Sequence, residues 1–234
     1  PAMTPQAEAL YRAGRSSFDA GSANFNAKTI GGYWTHFGEN NWYLDGVVQG
    51  TWYDVRTESQ RDTLIGFPDQ NVTGFGFAAS LEGGYPFYFE DGWQLEPQAQ
   101  LVYQNISMDS FNDGAADIRF DDLESLAGRI GLRLARSWAV EEAAGDKPAR
   151  LATAWGRVNL WHEFLDSSAT TEVSSATGFI PFIAALEQDW FEAGIGGSLQ
   201  LTASTTVYGN VNFETSFDGN HYGVGGKIGL RMNW

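Results

Sequence analysis

Residues 92–104, GWQLEPQAQLVYQ, carry a polar side chain at nearly every second position. Gln94, Glu96, Gln98 and Gln100 share one parity, and Gln104 rejoins it after a gap at Val102. Trp93, Leu95, Pro97, Ala99, Leu101 and Tyr103 occupy the other. Such alternation marks a strand whose two faces meet different surroundings. The same period predicts nine strands, roughly 25–37, 42–55, 72–88, 93–107, 125–138, 150–164, 190–202, 206–216 and 222–234. In the seventh, Phe191, Ala193, Ile195 and Leu199 oppose Glu192, Ser198 and Gln200. In the eighth, Val207, Val211 and Phe213 oppose Tyr208, Asn210, Asn212 and Glu214. The first is ambiguous in parity, because Lys28 and Ile30 share a face. Each segment has roughly 11–17 residues, whereas a globular strand usually has about 5–6. A tilted strand crossing a membrane needs about 9–11. Length favours the membrane.

The connections point the same way. Short ones at 38–41, 90–92 and 203–205 alternate with long ones at 56–71, 108–124 and 165–189. Residues 139–149 are a longer member of the short set, and SFDGNHY is a shorter member of the long set. This is the pattern of an antiparallel up-and-down barrel with short periplasmic turns and longer external loops. Aromatic residues gather at strand ends on both sides. Phe37, Trp42, Trp93 and Trp138 lie near the short turns, and Trp52, Trp161, Trp190 and Tyr222 near the long loops. Rings at headgroup level form such girdles. Pro86 and Pro97 fall near a short turn, where a missing ladder donor is tolerated. In a transmembrane barrel the polar parity lines the lumen. It includes Asp45, Glu82, Glu96, Gln98, Gln100, Arg129, Arg133, Arg157, Glu163, Glu192, Glu214, Lys227 and Arg231. Charges kept from lipid must face water or one another, so ion pairs across this face are expected.

Composition narrows the alternatives. Hydrophobic residues make up 43% of the 234, and charged residues only 18%. That is too apolar for disorder, and no apolar run of about 18 residues exists to form a membrane helix. A net charge of −15 argues against nucleic acid, which needs basic stripes. The chain has no cysteine, which excludes disulfides and thiolate metal sites. No signal peptide is visible in PAMTPQAEALYRAG, and Pro1 at the first position suggests a piece of a longer chain.

GGYWTHF, WYLDGVVQGTWYD, GWQLEPQAQLVYQ, SLAGRIGLRLA, NLWHEF and the terminal KIGLRMNW together resemble the translocator (β) domain of pertactin-like autotransporters. The resemblance runs from about Phe25 to Trp234. It implies an all-β, antiparallel transmembrane barrel in the outer membrane of a Gram-negative bacterium, with a function in type V secretion. The barrel would anchor an upstream passenger and export it to the cell surface. The family's barrel has twelve strands and a helix in its lumen, so the nine visible here imply that N-terminal strands and the helix are missing. Residues 1–24 would then be an external loop or a remnant of the preceding segment, and 25–234 a partial barrel. The terminus resembles the assembly signal of outer-membrane barrels, carried by Lys227, Gly229, Met232 and Trp234. The implied partners are outer-membrane lipid and lipopolysaccharide, the barrel-assembly machinery and the chain's own passenger, with the barrel itself a monomer.

The residues offer little other chemistry. His36, His162 and His221 sit near strand ends without metal-ligand spacing. Asp109, Asp113 and Asp117 lack the full EF-hand pattern, and Asp121 and Asp122 read as a solvated charge run. Neither a cofactor nor a metal is expected, and no serine is paired with a base at readable spacing. The chain is therefore not expected to be an enzyme. Glu82, Glu96, Glu192 and Glu214 could serve self-cleavage of a linker, but no role is assigned to them. The competing readings are a stand-alone porin or channel, an outer-membrane protease or lipase, and, last, a soluble sandwich.

Overall fold

Alternation along the chain becomes a meander of long antiparallel strands. The computed structural model describes residues 21–59, 69–141, 149–165, 168–185 and 188–232. Nine long strands follow one another in the main sheet: β1 (Gly21–Phe37), β2 (Tyr43–Ser59), β3 (Gln70–Gly84), β5 (Trp93–Met108), β8 (Leu123–Glu141), β9 (Arg150–Glu163), β12 (Asp189–Gln200), β13 (Thr205–Ser216) and β14 (Tyr222–Met232). Each pairs with the next, and a two-residue β4 (Phe87–Tyr88) adds to β5. These are the nine expected segments, with shifted ends. The first begins at Gly21, and the second continues to Ser59.

The prolines explain one local break. β3 pairs with β5 down to Gly84 opposite Gln98, and β4 resumes at Phe87 opposite Leu95. Pro86 and Pro97 both fall in the gap, where neither needs to donate to the ladder. Tyr85 N–H bridges it by donating to the Pro97 carbonyl at 3.2 Å.

The long connections form a second sheet where the sequence predicts loops. The segments at 108–124 and 165–189 instead supply β6 (Phe111–Asn112), β7 (Asp117–Phe120), β10 (Ser168–Ser175) and β11 (Gly178–Ala185), ordered β11-β10-β7-β6. β7 and β10 come from different connections and pair through residues such as Val173 and Ile118.

Burial in the main sheet is inverted relative to a soluble protein. Arg129, Asn159, Glu96 and Glu163 are among the buried residues, while Ile130, Leu134, Ile195 and Ile228 are largely exposed. One apolar row runs across five strands, from Pro97 through Leu132, Val158 and Ala193 to Phe213, exposed at all of these but Ala193, which is half-buried. A water-soluble sheet would bury that face, so the sandwich reading fails. Among the described residues no helix is long and apolar enough to cross a membrane.

Candidate functional site: the polar face of the main sheet

Register brings the polar parity of separate strands into continuous rows. One row reads Tyr43, Gly84, Gln98, Gly131, Asn159, Glu192, Glu214 and Gly223. The next reads Asp45, Glu82, Gln100, Arg129, Trp161, Trp190 and Ser216. On the other side lie Glu96, Arg133, Arg157, Gly194 and Asn212. Side chains that are far apart in sequence therefore share one surface.

These rows are wired together. Gln94 and Gln98 each donate to the Glu96 carboxylate at 2.6 Å, and Gln98 also reaches the Tyr43 hydroxyl at 3.0 Å. That hydroxyl donates to Glu82 at 2.7 Å. Glu82 in turn accepts from Arg129 at 2.6 Å. Arg129 donates to Asn159 Oδ1 at 3.2 Å, and Asn159 Nδ2 donates to Glu192 at 2.9 Å. Glu192 also accepts from Trp161 Nε1 at 3.2 Å and from Arg157 at 2.5 Å. Arg157 finally reaches Asn212 at 3.1 Å. The connected path touches β2, β3, β5, β8, β9, β12 and β13, so it fastens seven strands by side chains in addition to the backbone ladder. Arg129 is 5% exposed and Asn159 1%, deep enough that breaking one partner is costly. Removing half of a buried pair typically costs about 3–5 kcal/mol.

Glycine makes this packing possible at two positions. A Cβ on Gly131 would lie 2.1 Å from Asn159 Oδ1, and one on Gly84 would lie 2.3 Å from the Tyr43 ring. Each glycine faces a bulky polar partner on the adjoining strand and vacates the space it fills.

The remaining expected residues are placed differently. Arg133 is 4.0 Å from Glu96, at the limit of an ion pair. Gln100 donates to Ser80 at 3.0 Å. Glu163 is buried and accepts from the Ser125 hydroxyl and from the Leu126 and Leu165 N–H groups, tying a strand end to the following connection. Asp45 lies on the face with its Oδ1 buried and without a partner among the described residues, as are the Nε atoms of Arg129 and Arg157. Glu214 meets His221 at 3.8 Å, and Lys227 lies 5.6 Å over the Tyr208 ring. Arg231 pairs in register with Thr206 on the same face. Gly229 lies opposite Tyr208, while Met232 is exposed on the apolar parity. Trp234, the last residue of the expected assembly signal, lies outside the described residues.

Tyr43, Asn159 and Trp161 join the network without being among the charged and glutamine positions that the alternation singles out. Trp161 and Trp190 lie near strand ends, where rim aromatics are expected. They stack at 5.3 Å on the polar parity, because their strand positions match Arg129 and not Ile130. A glycine opposite each bulky polar residue was the available signal for Tyr43 and Asn159.

The arrangement holds strands and presents hydrogen-bonding groups. His36 lies between Trp34 and Trp42, and His162 Nδ1 is 2.8 Å from Asp189. Among the described residues no group of three or more His, Asp or Glu could hold a metal ion.

With this geometry in view, the comparisons with known proteins decide the family. Residues 9–212 match the family model described as the autotransporter beta-domain. This chain belongs to the autotransporter β-domain family. It is 30% identical over 233 residues to the adhesin BmaC autotransporter of Brucella suis biovar 1 (strain 1330). It is 26% identical over 199 residues to the pertactin autotransporter of Bordetella bronchiseptica. These alignments cover 98% and 83% of the chain but only 6% and 20% of those relatives. The solved β domain of the Bordetella autotransporter BrkA aligns with a TM-score of 0.65 at 22% identity, covering 94% of this chain and 78% of that one. The transport unit of AIDA-I from Escherichia coli aligns at 0.67 and 15%, covering 91% and 67%. The last two support the fold. The autotransporter β-domain is a β-barrel of the Gram-negative outer membrane, and that membrane is where this chain belongs. No enzymatic family is indicated.

Proposed function

We propose that this autotransporter β-domain anchors and exports a passenger linked upstream of it, with its polar face lining the lumen and its apolar face meeting lipid. The observation that carries the reading is the inversion of burial: an ionic network on one face, and an exposed apolar row on the other. In the membrane the apolar row replaces water contact with acyl chains, and the charges stay paired in a wet interior. The buried but unpartnered Asp45, Arg129 and Arg157 atoms support a face that works against water or a threaded segment, since such groups are normally satisfied. The barrel-assembly machinery would insert the domain as a monomer by reading Lys227, Gly229, Met232 and Trp234.

The test uses the full-length protein in a Gram-negative host. Deleting Trp234 should abolish both insertion and surface exposure of the passenger, read by external protease on intact cells. Normal display by that variant would reject the assembly role. Single-channel conductance of the purified protein addresses the porin reading. A large, stable open current would favour a channel over a translocator.

A further inference from the structure

The apolar face is not uniform. On β9 the lipid-side positions Ala154 and Gly156 are small, while β8 raises Leu132 and Leu134 on one side, and Ile195 of β12 with Phe213 of β13 beyond it rise on the other. The result is a groove of about 850 Å³ whose walls are almost wholly apolar. A Cβ on Gly156 would meet no clash, at ordinary contact distance from the Gly194 carbonyl (3.8 Å) and an Ile195 methyl (4.0 Å). The floor is therefore low because of the side chain it lacks.

One end of this groove carries a charge. Arg136 falls on the same apolar parity as Leu132 and Leu134, beside the short turn η1 (Glu90–Gly92). Its Nε donates to the Asp91 carbonyl at 3.3 Å, and its guanidinium carbon lies 5.4 Å from the Trp93 ring centre. Among the described residues no carboxylate pairs with it, whereas Arg129, Arg133, Arg150 and Arg157 each have one. Trp93 and Trp138, 40% and 43% exposed, flank it at headgroup level. From Arg136 to Leu132 the groove follows about 13 Å of strand, close to half of the ~30 Å hydrocarbon core.

We propose that this groove binds an anionic glycerophospholipid of the periplasmic leaflet, with one acyl chain over Gly156 and the phosphate against Arg136. The charge complementarity is specific: a guanidinium recognises phosphate through paired donors. A cation on the lipid face near the rim is tolerated, and a lipid phosphate gives Arg136 an anionic partner beside its contacts to the Asp91 carbonyl and the Trp93 ring. The inference rests on the assignment of the apolar face to lipid.

The experiment uses the full-length protein in mild detergent, with native mass spectrometry counting retained lipid. Phosphatidylglycerol is compared with diacylglycerol of the same chains and with glycerol 3-phosphate. Heat-modifiable gel mobility confirms that each variant is folded. Wild type should retain phosphatidylglycerol about tenfold better than diacylglycerol, the size of one charge-assisted contact, and also better than glycerol 3-phosphate, which lacks the acyl chains. Arg136→Gln should lower retention to the diacylglycerol level, Arg136→Lys should restore part of it, and Gly156→Leu should lower it with the charge intact. Equal retention by Arg136→Gln and wild type overturns the proposal. So does glycerol 3-phosphate binding as tightly as the lipid, which would mark an anion site alone. Because the chain lacks cysteine, Ile195→Cys and Gln98→Cys in membranes test the underlying face assignment separately. Ready labelling of Ile195→Cys by a water-soluble maleimide would reject that assignment, whereas labelling of Gln98→Cys alone keeps it whatever the lipid result.

Discussion

The two sheets of this chain are both antiparallel, yet different forces hold them. In the main sheet, the nine long strands of 11–19 residues carry a connected, buried polar network on one face. In the small sheet, strands of 2–8 residues leave Ile180, Phe182 and Ile183 more than half exposed. Its side-chain contacts are local: Phe111 stacks on Phe120 at 6.1 Å, and Arg119 lies 3.9 Å over the Phe179 ring. A buried network makes a sheet fail as a unit, because each partner's loss strands another charge. Surface ring contacts let a sheet loosen by itself. The difference predicts two separable transitions.

The largest effect should come from Arg129→Met. It removes the guanidinium from Glu82 and Asn159 and leaves Glu82 half-buried without its cation. Guanidinium unfolding of the full-length protein in micelles should show a loss of about 3–5 kcal/mol. Adding Glu82→Gln should recover part of it. A double variant no better than the single one would mean that the pair does not act as a unit.

Gly131→Ala tests the same network by volume instead of charge. The new methyl would have to displace Asn159, which links Arg129 to Glu192. Overpacking of this kind costs about 1–3 kcal/mol. The main-sheet transition should move by that amount. An unchanged transition would show that Asn159 has room to retreat.

Arg119→Ala should act on the small sheet alone. The lost cation–π contact is worth about 0.5–1 kcal/mol at an exposed site. Limited proteolysis between Ser168 and Ala185 should speed up while the main-sheet transition stays put. A shift of both together would break the comparison and make the two sheets one cooperative unit.

The same contrast governs what the amino-acid pattern could reveal. The long strands were legible because alternation over 11 or more residues is hard to mistake. The small sheet was not. β6 and β7 are shorter than any usable window, and the apolar GFIPFIAA of β11 does not alternate. In the site, the parity of each strand placed Glu82, Arg129, Arg157 and Glu192 on one face. It did not say which acid meets which base, because that depends on register between strands that lie up to 47 residues apart, as Glu82 and Arg129 do. Trp161 shows what a strand-end position leaves open: it lies near the end of β9, where a rim aromatic is expected, and its place opposite Arg129 also puts it among the charges.

The smallest effect belongs to the turn between β13 and β14. The Ser216 hydroxyl donates to Asp218 at 2.5 Å and the Asn220 N–H at 3.0 Å, and these bonds to the ionised form hold the Asp218 carboxyl below its ordinary value. A carboxylate with a depressed folded value contributes stability above its unfolded value of about 3.9. That contribution fades as pH falls through the lower folded value. The group is fully exposed, so the change should be confined to the turn. Hydrogen exchange at the Gly219 to His221 amides should accelerate below about pH 4, relative to intrinsic rates, and Asp218→Ala should remove the acid-dependent part. Should exchange at β9 amides rise in the same pH range, the turn would be coupled to the main network, and the main sheet would extend its cooperativity to its connections.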